Sequence, residues 1–134
     1  MQALLDAARA AQANAYAPYS RYRVGAALAT PDGRVFAGCN VENAAYPSGT
    51  CAEAGAIAAM VAGGGRSIAE LLVVGDGPQC ITPCGNCRQR IREFATAATR
   101  VHAAGAGGVL ASFTLDELLP QSFGPGHLAP SQAE

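Results

Sequence analysis

Charge is what this chain has least of. Only 14% of its 134 residues are charged, and nine basic side chains against ten acidic ones leave a net charge of -1. Binding along phosphate backbones needs a concentrated basic face, so a nucleic-acid partner is disfavoured. No apolar run reaches the 18 residues of a membrane-spanning helix, which argues against membrane insertion. The opening Met1-Gln2-Ala3-Leu4-Leu5-Asp6 carries an acid where a secretion signal would carry Lys or Arg. A soluble, cytoplasmic protein is expected. Cysteine is scarce too: five is an odd number, and two of them form a C-x-x-C, which in a reducing compartment argues for metal or redox use over a disulfide framework.

A chain of 134 residues fits one domain, and at this size folding buries roughly two-thirds of the unfolded surface. We expect that domain to span residues 1–128, with residues 129–134 as a flexible tail. Half of the residues are apolar, and alanine and glycine abound, a composition suited to close-packed helices.

Residues 2–16 are alanine-rich and helix-favouring, with Leu4, Leu5 and Ala8 on one side, until Pro18 ends the run. Residues 24–29 and 34–39 flank Pro31-Asp32-Gly33, a strand, turn and strand signal. Residues 40–49 read as a polar loop, and residues 50–62 as a helix stopped by Gly63-Gly64-Gly65. Its stripe of Gly55, Ala58, Ala59 and Ala62 leaves room for another backbone. The apolar Leu71-Leu72-Val73-Val74-Gly75 suits a central strand. A helix over 83–94, strands over 100–104 and 109–113, and a short helix capped by Thr114 complete the order. The fold class is α/β: a five-stranded mixed sheet between helices, in three layers α/β/α.

The chemistry concentrates in Thr50-Cys51-Ala52-Glu53 and Thr82-Pro83-Cys84-Gly85-Asn86-Cys87. Three thiols can hold Zn²⁺ and leave its fourth position open, with Glu53 beside it as an acid/base group. Thr82 as cap and Pro83 at the first helical position would set Cys84 and Cys87 in one first turn, against the positive end of the helix dipole. A C-x-x-C alone would equally suit a thioredoxin-like redox pair. Thr50-x-x-Glu53 alone would equally suit a capping box. The conjunction favours the metal, because Cys-x-Glu followed by Pro-Cys-x-x-Cys is the zinc-deaminase arrangement, with the Glu off the metal. Cys39 and Cys80 read as small buried hydrophobes. His102 reads as a strand residue and His127 as surface, neither a ligand.

Longer blocks carry a resemblance. Ala15-Tyr16-Ala17-Pro18-Tyr19-Ser20, Val24-Gly25-Ala26-Ala27-Leu28, Gly38-Cys39-Asn40-Val41-Glu42-Asn43-Ala44-Ala45-Tyr46-Pro47, the two cysteine segments, and residues 118–125 stand in one order over nearly the whole chain. Together they resemble the small, homotetrameric cytidine deaminases. The resemblance implies one Zn²⁺ per subunit on Cys51, Cys84 and Cys87, with Glu53 as proton shuttle. It places Asn40 and Glu42 on the ribose 3′-hydroxyl, which an amide and a carboxylate can serve as donor and acceptor. It makes Ala52 a substrate-binding residue and sets Tyr22 against the pyrimidine, where the family usually has Phe. Tyr46 and Phe123 would reach a neighbouring subunit's pocket. The implied reaction is attack of water on C4 of cytosine, with Glu53 carrying the proton to N3 and then to the leaving amino group. Uridine or deoxyuridine and ammonia result.

One departure stands out. The residue after the Glu is usually an Arg donating to the thiolates, and here it is Ala54. Three thiolates on Zn²⁺ leave a net negative centre, so we expect Arg88 and the two helix N-termini to offset it. Two other readings stay open at the level of sequence. One is a non-catalytic zinc or thiol-redox module. The other is a deaminase of a different nucleoside-like substrate, such as a nucleoside antibiotic.

Overall fold

Helix α1 (Gln2–Ala13) buries Leu4, Leu5 and Ala8, the apolar side visible in the sequence, against one face of a sheet. The computed structural model describes residues 1–128, so the tail expected at 129–134 lies outside the described residues. The helix ends at Ala13 and not at 16 because the following backbone is taken by another segment. Tyr16 N–H donates to Asn40 O at 3.0 Å, and Glu42 N–H donates to Tyr16 O at 2.8 Å.

Strands β1 (Val24–Ala29) and β2 (Val35–Cys39) form the expected hairpin, with Ala29 opposite Val35 and Gly33 at φ 90° in the turn. A positive φ suits glycine, which has no Cβ to clash. Strand β3 (Ile68–Gly75) lies between β1, antiparallel, and β4 (Ala95–Gly105), parallel; β5 (Gly108–Thr114) returns antiparallel along β4. The sheet runs β2-β1-β3-β4-β5. β3 and β4 begin earlier than the apolar runs suggest, since the extra residues gain their ladder bonds from tertiary pairing. Thr99 is buried at the irregularity in that pairing, its hydroxyl donating to Ile68 O at 2.6 Å.

Helices α2 (Ala52–Ala62), α3 (Gly85–Phe94) and α4 (Leu115–Leu118) cover the opposite face, around Leu28, Ile57, Met60, Leu71 and Ile91. The architecture is thus the three-layer α/β/α expected. α4 is capped by Thr114, with Glu117 completing a capping box. The short α5 (Pro125–Leu128) is an element for which the sequence carries no clear signal.

One close contact sets the position of α2. A Cβ on Gly38 would come within 2.5 Å of Ala56 N and 2.6 Å of Ala52 O, so β2 and the first turns of α2 touch backbone to backbone. The helix that carries Glu53 is seated through that gap. Gly38→Ala must push the helix off the sheet, an overpacking cost of about 1–3 kcal/mol. We expect Tm to fall by roughly 5–10 °C in a thermal melt.

Candidate metal centre and pocket

Both site helices start later than the local sequence signals place them. Thr50 does not cap α2: its N–H and C=O are paired with Val41 at 2.9 and 3.0 Å, holding it extended, and Cys51 becomes the N-cap. The Thr50/Glu53 capping box is therefore absent. Thr82 and Pro83 likewise stay outside α3, whose N-cap is Cys84. The Thr82 hydroxyl accepts instead from Arg88 Nη2 at 2.9 Å. Cys51 and Cys84 thus stand at the N-termini of two different helices, and Cys87 sits one turn into α3. Each helix aims the positive end of its dipole at the thiols.

The three Sγ atoms lie within 4.8 Å of one another. Tetrahedral Zn²⁺ at ~2.3 Å from each sulfur requires sulfurs ~3.8 Å apart, so this triangle accepts the ion with little movement. Cys87 is fully buried, while Cys51 is half-buried and Cys84 exposed, leaving one side of the cluster open to the pocket. Burial pushes the Cys51 and Cys87 thiols up. Burial also acts on Cys84, but the Cys87 N–H and the thiols of Cys87 and Cys51 outweigh it and bring that thiol down. A coordinating thiol is deprotonated outright by the cation.

Glu53 lies beside this cluster at 4% exposure. Burial raises its carboxyl above the ordinary value, with its own backbone N–H, Arg90 and Cys87 pulling the other way. A carboxyl shifted upward in a cleft is suited to take and return a proton near neutral pH.

A pocket of about 590 Å³ opens in front of the thiols, within the usual range for small-molecule sites. It sits where β1 begins and β2 and β3 end, and Val24 and Ile81 contribute apolar wall. Cys51, Cys84, Glu53 and Ala52 line it together with Asn40, Glu42 and Tyr46. Asn40 Oδ1 accepts from Val24 N–H at 2.9 Å and its Nδ2 donates to Tyr22 O at 2.8 Å, leaving one donor hydrogen and one lone pair. Glu42 Oε1 accepts the N–H groups of Tyr19 and Ser20, both at 3.0 Å, and Oε2 accepts the Ser20 hydroxyl. Those bonds hold the Glu42 carboxyl below its usual value, the Ser20 hydroxyl contributing most.

Several expected residues sit elsewhere. Tyr22 is outside the pocket lining; its hydroxyl packs against Gly75, so close that a Cβ there would lie 2.4 Å away. Phe123, expected at a neighbouring subunit's pocket, is 54% exposed in its own chain and stacked on His127 at 5.3 Å between ring centroids. Tyr46, 76% exposed, stands at the mouth of its own chain's pocket, edge-on to Tyr19 at 6.1 Å. Cys39 and Cys80 are half-buried, short of the burial expected, because Cys39 ends β2 and Cys80 lies in the loop between β3 and α3. His102 is a buried strand residue between Ser112 and Glu70, and His127 is exposed.

Arg88 is the clear correction. Its guanidinium donates to Pro83 O and Leu118 O, each at 2.7 Å, and to Thr82 Oγ1. It clamps the segment before α3 to α4, and none of its hydrogen bonds goes to a thiol. Arg90 Nη1, not singled out from the sequence, lies 3.5 Å from Cys87 Sγ. The signal was present in the spacing, since residues three apart on a helix are neighbours.

Residues 1–103 match the family model described as the cytidine and deoxycytidylate deaminase zinc-binding region. The cytidine deaminase of Sporosarcina psychrophila is 40% identical over 123 residues, covering 92% of this chain and 90% of that protein. The cytidine deaminase of Halalkalibacterium halodurans is 41% identical, covering 91% and 92% respectively. The crystal structure of the Burkholderia pseudomallei cytidine deaminase superposes with a TM-score of 0.85 at 44% identity, over 91% of this chain and 98% of that one.

Proposed function

This chain belongs to the zinc-binding cytidine and deoxycytidylate deaminase family, and on that premise we propose which of its residues carry out the hydrolytic deamination of cytidine. It is a zinc-dependent hydrolase. Cys51, Cys84 and Cys87 hold the metal, and Glu53 is the proton carrier. The observation that supports this most is the meeting of three thiols within 4.8 Å with one buried carboxyl beside a pocket that Cys51, Cys84 and Glu53 help to line.

Zinc, when bound, supplies Lewis acidity that turns water into a nucleophile at neutral pH. Glu53 takes the proton that water gives up and delivers it to N3 of the base as C4 is attacked; it then carries the proton of the new C4 hydroxyl to the amino group, which leaves as ammonia as the C4 carbonyl forms. Ala52, with no side chain beyond Cβ, leaves space for the ring edge beside Glu53. Val24 and Ile81 shield the ring from water.

Asn40 and Glu42, which line the same pocket, serve the sugar. Their free donor and free lone pairs fit an alcohol that both gives and accepts a hydrogen bond. A carboxylate at that point repels a phosphate, which favours nucleosides, cytidine and deoxycytidine, over nucleotides. Glu42→Gln removes the charged acceptor, and a hydrogen bond to a charged group is worth about 1.5–3 kcal/mol. We expect kcat/KM for cytidine to fall about 10- to 100-fold, mostly through KM; steady-state kinetics with an unchanged KM would remove Glu42 from the sugar site.

The exposed aromatics Tyr16, Tyr19, Tyr46 and Phe123 favour subunit association, and we read the enzyme as a homotetramer whose neighbours complete each pocket with Phe123. No described helix is long and apolar enough to cross a membrane. The cytoplasm, where free nucleosides are recycled to uridine and deoxyuridine, is the proposed setting. The direct test incubates the protein with cytidine and follows the loss of its ultraviolet absorbance with and without a zinc chelator. Turnover that the chelator abolishes supports the reading; cytidine left unchanged by zinc-loaded protein overturns it.

A further inference from the structure

We propose that Arg90 is the positioning residue that neutralises the thiolate cluster in this chain, its guanidinium donating to Cys87 Sγ from one turn further along α3. The inference rests on the reading of Cys51, Cys84 and Cys87 as the zinc ligands.

Three thiolates around a dication leave one net negative charge, in a site where Glu53 adds a further carboxyl. Excess donation from the sulfurs makes the metal a weaker electrophile, so a cation against the sulfurs has a chemical purpose. All nine basic side chains of the protein are arginines. Among the described residues Arg90 is the one arginine that hydrogen-bonds a thiol of the cluster. The two other candidate positions are eliminated by observation. Ala54 has no donor, and Arg88 spends its guanidinium on two carbonyls and a hydroxyl.

The helix geometry explains why position 90 succeeds where position 88 fails. Cys87 and Arg90 share one side of α3, whereas Arg88, one residue after the cysteine, is turned about 100° away toward α4. The Cys87 contact is the one hydrogen bond the Arg90 side chain makes among the described residues, and no salt bridge there competes for it. Arg90 is not among the residues that line the pocket, so it has no contact with a substrate there.

The test compares wild type, Arg90→Met and Arg90→Lys, each as purified full chain loaded with zinc and, separately, with cobalt. Met keeps a long, helix-compatible stem but has no donor and no charge. The cobalt-loaded proteins report directly on the sulfurs through their sulfur-to-metal charge-transfer absorption. A cation bound to a thiolate lowers the energy of its lone pairs, so losing it moves that band to longer wavelength. Arg90→Met is expected to show this shift and a kcat lowered by ~10- to 100-fold, with KM for cytidine within a factor of ~3. Arg90→Lys, which keeps the charge, is expected to fall between the two. An unmoved band in Arg90→Met overturns the proposal even if kcat falls, because the arginine would then act through Glu53, packing or substrate. If wild type takes up neither metal, the reading of the three cysteines fails instead, and the two failures are told apart by the metal content of the wild type.

Discussion

Glu53→Gln is expected to keep its zinc and lose its turnover. The replacement is nearly isosteric, so the seat between the thiols and the pocket stays filled, and the three sulfurs are untouched. What disappears is the ability to take a proton and give it back. General acid/base catalysis contributes typically about 10²- to 10⁴-fold, and here one carboxyl serves both halves of the reaction. We therefore expect kcat to fall by at least ~10⁴-fold, measured by cytidine absorbance, while metal analysis still finds one zinc per chain. Stability should not suffer. Glu53 is 4% exposed, and burial opposes its charged form, so a neutral amide relieves part of that opposition. A variant with near wild-type kcat would remove Glu53 from the chemistry; one without zinc would make it a ligand.

Cys87→Ala is expected to lose both metal and activity. Cys87 is the one fully buried member of the triad, and its sulfur faces Cys51 and Cys84 from within the first turn of α3. Two remaining thiols cannot close a tetrahedral site with an open fourth position. Metal content after dialysis should drop to near zero and turnover below ~10⁻⁴ of wild type. Because metal that binds only the folded chain stabilises it, Tm should fall toward that of chelator-treated wild type. Cys39→Ala and Cys80→Ala supply the control, since neither thiol belongs to the cluster, and both should keep zinc and turnover. Zinc retained at full occupancy in Cys87→Ala would reassign the ligand set.

The site was legible in the sequence to the extent that its chemistry is written in residue type and local spacing. Cys84 and Cys87 are three apart, so any helix or turn there brings them together, and a thiol pair with a third cysteine and a carboxylate nearby has few uses. The Pro31-Asp32-Gly33 turn and the apolar 71–75 run were legible for the same reason, since turn chemistry and burial act within a few residues.

The helix starts were not legible, and the cause is specific. Thr50 and Thr82 are both good caps by local preference. Thr50 is held extended by pairing with Val41, a residue nine positions away in a loop that the sequence shows only as polar. The Thr82 hydroxyl is taken up by Arg88, and Cys84, two residues on, becomes the cap. The choice of arginine failed likewise. Arg88 stands next to a ligand in the sequence, but Pro83 and Leu118 present carbonyls that claim it, and Leu118 is thirty residues away.

By itself, then, the chain's order of residues determined which atoms could bind a metal and which carboxyl could move a proton, because donor type is a property of each side chain alone. Only tertiary structure decided where those atoms point, which arginine reaches a sulfur, and that Tyr22 packs on Gly75 and not in the pocket. Those outcomes depend on competition for hydrogen-bond partners and space between segments far apart in the chain, and no local pattern records who wins.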